Sequence, residues 1–321
     1  DDAALMIPST NPFLQDLLQD FLAASGRSRV RGRARGTGID FDELGVNAVV
    51  EQLRQAPMDA VLVSFNNARP GDDPVIHFYE DFLTAYDKAM RIERGVFYTP
   101  KPVVQFIVRS VHEVLQNEFG IEDGLASTIT WGEMLRRKPG LELPTGTAAD
   151  SAFVQMLDPA VGTATFLVEV IDLIHRHMLA KWQKAGQSKA QQLESWNTYV
   201  RDHLLTRMHG FELMMAPYAI AHMKLGLKLA DTGYRFPEGG PRVRVFLTNS
   251  LQPATDVQPQ FELMAPMLAH EARASNAVKA HLVCTVLVGN PPYARHSGNN
   301  SIESIVERVR DYRRNFPDLS K

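Results

Sequence analysis

Between residues 153 and 288 of this 321-residue chain, four short apolar runs alternate with longer stretches of helical periodicity, and no other feature constrains the fold as strongly. The runs Phe153 to Leu157, His209 to Leu213, Arg242 to Leu247 and Leu282 to Val288 are short and largely apolar, as buried strands are. Amphipathic segments near Thr165 to Lys184, Gln191 to Thr206, Ala216 to Leu229 and Phe261 to His281 follow a helical spacing. Strand–helix–strand units pair their strands in parallel, so this order predicts an α/β protein with a doubly wound sheet and helices on both faces. Ligands of such sheets sit at the carboxyl ends of the strands, beside the switch in strand order. The strands ending at Asp158 and at Asn290 are expected to be neighbours there.

The preceding region has a different texture. Asn11 to Ser25 (NPFLQDLLQDFLAAS) places Phe13, Leu14, Leu17, Leu18, Phe21 and Leu22 on one helical face. Gly26 to Gly38 carries five arginines and four glycines with almost nothing to bury, the composition of a mobile linker. Helical patterns return before residue 90, with Phe78, Phe82 and Tyr86 at i, i+4 and i+8. We expect a helical region over 1–90, with its linker at 26–38, docked onto a larger unit over 91–321. Glu122 to Asp150, rich in Gly, Pro and Thr, reads as a surface insertion.

With 45% hydrophobic and 22% charged residues, the chain can bury a sizeable core in one large domain or two smaller ones. Its 34 Lys plus Arg stand against 37 Asp plus Glu, so any nucleic-acid contact must come from local patches or other parts. The one cysteine, Cys284, excludes an intrachain disulfide, fits a reducing compartment and reads as core. No apolar run approaches the roughly 18 residues of a membrane span. The start, DDAALMIPST, is neither a signal peptide nor a natural beginning, which implies a fragment or a processed chain.

Four constellations carry chemistry. In Met156 to Val170 (MLDPAVGTATFLVEV) an apolar strand ends at Asp158, turns through Ala160 and Gly162, and enters a helix. The glycine lets the backbone approach a ligand and the helix N-terminus offers N–H groups; a tight strand-to-helix connection has the same pattern, and both readings stand. The chain has no Gly-Lys dipeptide, so a phosphate-binding loop for ATP hydrolysis is not encoded. Glu212 lies near the end of the next strand, where an acid can accept from ribose hydroxyls, although two helices separate it from the glycine loop instead of the usual single step. VRVFLTNSL runs into a polar turn at Thr248 to Ser250, in which Asn249 reads as a turn residue or as a contact to a nucleoside base. The fourth is VLVGNPPY. Pro291 and Pro292 fix an extended backbone without N–H groups, Asn290 adds a side-chain acceptor, and Tyr293 offers a flat face for stacking. Together they form a two-acceptor cradle for an NH₂ group on a planar ring.

These residues resemble the amino-methylating DNA methyltransferases, specifically the gamma-type N6-adenine enzymes in which a FYTP element precedes the glycine motif. Here that element is GVFYTPKPVVQFIVRSV, Gly95 to Val111, with Thr99 expected to cap a helix that Pro100 begins. FYTP, DPAVGTATFL and NPPY occur in the subgroup's order between about Arg91 and Tyr293. HFYEDFLTAYD and the GNPPY context look most like large single-chain restriction–modification enzymes that fuse nuclease, helicase and methyltransferase.

The resemblance implies a Rossmann-like S-adenosylmethionine-dependent sheet. Tyr98 and Thr99 would line the methionine end of S-adenosylmethionine beside Asp158, Ala160 and Gly162; Glu212 would hold the ribose, and Asn249 would approach the adenine. Asn290 and the Pro291 carbonyl would accept from the target N6 amine, with Pro292 rigidifying the turn and Tyr293 stacked on the flipped base. No metal is implied. The implied partner is double-stranded DNA with a specific site, in a bacterial or archaeal cytoplasm, with no membrane role and with nuclease, helicase and target-recognition parts elsewhere in a longer protein. Two departures stand out: Ala164 replaces a usual glycine, with a methyl expected to narrow the cofactor loop, and Asn249 replaces a common acid. Competing readings are a cytosine-N4 enzyme, a release-factor glutamine N-methyltransferase, and a noncatalytic DNA-binding or coupling module. No lysine has a Glu two residues before it, so cleavage by the common nuclease core is expected to reside outside this segment.

Overall fold

In the structure, a computed structural model, residues 99–237, 240–255, 266–291 and 303–315 are described. Tyr98, Pro292, Tyr293, the helical region expected over 1–90 and its Arg/Gly linker lie outside the described residues.

Helix α1, Lys101–Asn117, follows an extended residue, Pro100, at its N-cap. It buries Val104, Val108, His112 and Leu115, one residue per turn on a single face, and packs against a longer helix described below. Helix α2, Trp131–Arg137, begins at a capping box in which Thr130 and Glu133 bond each other's backbone N–H groups.

Four strands follow: β1, Met156–Asp158; β2, Met208–Glu212; β3, Arg244–Leu247; and β4, Val286–Leu287. Their order in the sheet is β3-β2-β1-β4 and every pairing is parallel. This is the order of a doubly wound α/β sheet, in which the direction of winding switches between β1 and β4. The expected adjacency of the first and fourth strands is therefore observed. Helix α3, Thr165–Lys184, joins β1 to β2 together with α4, Lys189–Tyr199, a wide π turn at Val200–Leu204 and a last turn at Leu205–Arg207. Helix α5, Met215–Asp231, joins β2 to β3, and α6, Pro266–His281, precedes β4. Helix α7 spans Glu303–Asn315. No helix among the described residues is long and apolar enough to cross a membrane.

The core lies between the sheet and α3, whose Leu167, Val170, Ile171 and Ile174 are fully buried. Each contributes about 1.5–3 kcal/mol relative to exposure. At the end of the π turn, Arg207 is buried and its guanidinium donates to the carbonyls of Leu125 and Val154 and to the Tyr199 hydroxyl, which itself donates to Ala126 O.

That clamp corrects one expectation. The front of the segment Glu122 to Asp150 is core and not a surface insertion: Leu125, Ala126, Ile129, Trp131 and Met134 are all buried. Buried carbonyls need donors, and Arg207 and Tyr199 supply them. Strands β1 and β4 are shorter than their apolar runs because Phe153 N–H bonds Ile129 O, while Gln155 N–H is taken by the Thr285 hydroxyl. Cys284 is half-buried; its thiol donates to Val286 O, and burial pushes its pKa up to about 11.

Candidate functional site

Because all pairings are parallel, the ends of β1, β2, β3 and β4 open on one edge of the sheet, and Asp158, Glu212, Asn249 and Asn290 come to that edge. The turn between β1 and α3 is pinned at nearly every donor. Ala160 N–H bonds Asp158 Oδ1 at 3.1 Å, Val161 N–H bonds Phe211 O at 2.9 Å, and Gly162 N–H bonds Glu212 Oε2 at 2.9 Å. Despite the two helices between them in sequence, Glu212 and the glycine turn are thus in direct contact.

Gly162 has φ +53, and a Cβ built on it meets no atom within 4 Å. A side chain added at Gly162 would therefore meet open space, in a backbone conformation that L side chains seldom adopt. Ala164 also has a left-handed φ, 66, at a cost of about 1–2 kcal/mol. Its methyl is fully buried, so it faces protein and does not narrow the open side as expected.

The electrostatics of this edge are those of two buried acids. Asp158 is 1% exposed, and its carboxyl is raised to about 7, first by burial and then by the nearby Glu212, against the opposing Ala160 N–H bond. Burial also raises Glu212, whose two oxygens accept from the backbone N–H groups of Gly162 and Met214. Two buried carboxyl groups held toward their neutral forms, Asp158 in part by Glu212, suit a cationic ligand, which would favour both charged forms.

At the switch, Val288 N–H bonds Leu157 O and carries the chain past the end of β1. A Cβ at Gly289 would run into the Asp158 carboxyl, so only glycine permits this approach. Asn290 then donates from Nδ2 to the Thr99 hydroxyl at 3.0 Å, joining residues 191 apart in sequence. This corrects the expected cap: Thr99 makes no capping bond, and Pro100 is the N-cap residue of α1. Pro100 and Pro102 lack N–H groups, leaving few donors at the helix start for a hydroxyl to satisfy. Pro291 is exposed.

Asn249 sits just beyond β3, where Thr248 N–H bonds Glu212 O at 2.7 Å. Its side-chain oxygen accepts from Leu251 N–H, the geometry of a self-closed Asx turn. Lys279, which the sequence reading missed, fastens this turn by donating to Thr248 Oγ1, Asn249 O and Gln252 O. Leu213, beside Glu212, is 62% exposed and adds an apolar surface at the same edge. Neither residue has a sequence signal that separates it from an ordinary surface residue. Away from the edge, His175 packs on Trp196, whereas His177 meets Asp123 and His112.

Comparison with solved structures finds partial likenesses. The chain in the DrdV–DNA complex is 22% identical with a TM-score of 0.46, covering 74% of this chain and 19% of that one. LlaBIII, described as an ATP-dependent Type ISP restriction-modification enzyme bound to DNA, is 20% identical with a TM-score of 0.45, covering 90% and 17%. A nuclease-deletion mutant of the Type ISP enzyme LlaGI, with a DNA substrate mimic, is 19% identical with a TM-score of 0.44, covering 94% and 22%. This chain thus spans about a fifth of the length of each. No protein-family model and no curated protein matches the chain.

Proposed function

We propose that this chain is part of an S-adenosylmethionine-dependent methyltransferase acting on the N6 amine of a flipped adenine in double-stranded DNA, as the modification part of a restriction–modification enzyme. In this reading residues 91–321 are the N-terminal part of the catalytic domain, residues 1–90 are a helical coupling region, and nuclease, helicase and target-recognition parts lie elsewhere. The observation that carries it is the junction of three motifs at one sheet edge: Gly289 against Asp158, and Asn290 hydrogen-bonded to Thr99.

The residues fit the cofactor. Open space at Gly162, two buried acids facing a cationic ligand, and the exposed Leu213 beside Glu212 offer what a sulfonium, a ribose and an adenine ring require. When bound, S-adenosylmethionine supplies a methyl carbon that takes the amine's lone pair as the carbon–sulfur bond breaks, leaving a neutral thioether and a proton released from the amine to water. Glu212 accepts from hydroxyls with the lone pairs that its backbone bonds leave free. Asn290 presents Oδ1 to one amine hydrogen and the Pro291 carbonyl accepts the other, which draws the nitrogen lone pair out of conjugation with the ring. Positioning of this kind is the main aid to an in-line displacement.

The test is transfer of labelled methyl from S-adenosylmethionine to unmethylated duplex DNA by the full-length protein, followed by nucleoside analysis. Label should appear in N6-methyladenine. Asn290→Ala should lower the rate by at least about 100-fold while leaving cofactor affinity within about threefold, because the lost acceptor acts on the amine alone. Label in N4-methylcytosine, or none in DNA, would overturn the reading.

A further inference from the structure

We propose that Thr99 is a positioning residue for Asn290: its hydroxyl locks the Asn290 amide with Oδ1 turned toward the substrate amine. This inference rests on the methyltransferase reading and adds a role beyond lining the cofactor.

The sheet locates the Asn290 backbone but not its side chain. Val288 N–H is tied to Leu157 O, and Gly289 is pressed against Asp158, so the Cα of Asn290 is fixed by its neighbours. Its side chain retains two torsions, and an Asn amide has two ends of opposite character, an oxygen acceptor and an NH₂ donor. A flipped amide would point donors at the substrate's own N–H groups and repel them. The bond from Nδ2 to Thr99 Oγ1 holds the amide in one rotamer with Oδ1 on the far side from Thr99; the hydroxyl can pair with either amide end, and the substrate's N–H groups, which need an acceptor, keep Oδ1 toward them. Thr99 is available for this because the prolines at 100 and 102 begin α1 without a side-chain cap. The β-branched Thr is itself confined in χ1, which makes it a stiffer anchor than Ser.

The experiment compares Thr99→Val, which keeps the shape and removes the hydroxyl, with Thr99→Ser, which keeps the hydroxyl, in the full-length protein. Methyl transfer to duplex DNA is measured alongside calorimetric S-adenosylmethionine affinity and a crystal structure of each variant. At saturating S-adenosylmethionine, Thr99→Val should lower kcat by about 100-fold, the scale of a misplacement near 1 Å, a loss that a cofactor-lining role alone would show in Kd and not in kcat. Thr99→Ser should recover most of the rate. In the Thr99→Val crystal the Asn290 amide should leave its wild-type rotamer. An unchanged kcat or an unchanged rotamer would overturn the proposal, as would a loss of rate explained wholly by weaker cofactor binding. If the wild-type protein methylates no DNA, the functional reading fails, and the Asn290 rotamer still decides the role of Thr99.

Discussion

The two halves of the carboxyl edge are built differently. On the β2–β3 side the polar groups are heavily bonded to the protein's own backbone: Glu212 holds the N–H groups of Gly162 and Met214, and Asn249 holds Leu251 N–H inside a turn fastened by Lys279. On the β1–β4 side, among the described residues, the buried Asp158 carboxyl accepts one backbone N–H and the Asn290 amide makes one bond, to Thr99. The side with more bonds to its own backbone is the stiffer wall, and the side with fewer keeps more hydrogen-bonding capacity for a ligand. Under the proposed function, the β2–β3 side would hold the cofactor and the switch side would receive the amine.

The sharpest way to break this contrast is Gly162→Val, which puts a side chain into the open space at the glycine turn. It should weaken S-adenosylmethionine binding by about 100-fold and, through its left-handed φ, cost about 1–3 kcal/mol of stability. Cofactor affinity unchanged by calorimetry would make the turn a mere connection.

Asp158→Asn tests the switch side through pH. The folded value of about 7 lies above the ordinary 3.8, so the fold favours the protonated form. That stabilisation is complete below the ordinary value and is lost as pH rises through about 7. The thermal midpoint of the wild type should therefore fall between pH 4 and 7.5 relative to the variant, which does not titrate there. Parallel curves would mean that Asp158 ionises freely.

Asn249→Ala should have the smallest effect, about 1 kcal/mol of stability for the lost turn bond, with cofactor affinity within a few-fold. A tenfold loss of affinity would make Asn249 a ligand contact and erase the contrast between the two sides.

Much of this was legible in the residues. Helix α3 spans the expected Thr165–Lys184, because its apolar spacing is unbroken from the turn onward. Parallel pairing follows from alternation, and the expected neighbouring of the first and fourth strands brings Gly289, next to Asn290, against Asp158. Some signals were present and unread: Ser188 and Gln191 form a capping box that sets the start of α4 two residues before the expected one, and Thr130 with Glu133 marks α2 in the same way. Other features have no local signature. The buried Arg207 is satisfied by two carbonyls from distant segments, Leu125 and Val154, together with the Tyr199 hydroxyl eight residues away. Thr99 has the sequence of a cap and is drawn instead to a partner 191 residues away, a choice that only the assembled sheet makes.

The most direct test is calorimetric titration of the full-length protein with S-adenosylmethionine, for wild type, Asn290→Ala and Gly162→Val. Saturable one-to-one binding that persists in Asn290→Ala and is lost in Gly162→Val is the predicted result, since cofactor and amine would occupy separate halves of one edge. Absence of saturable binding to the wild type, or its loss in Asn290→Ala, would contradict the account.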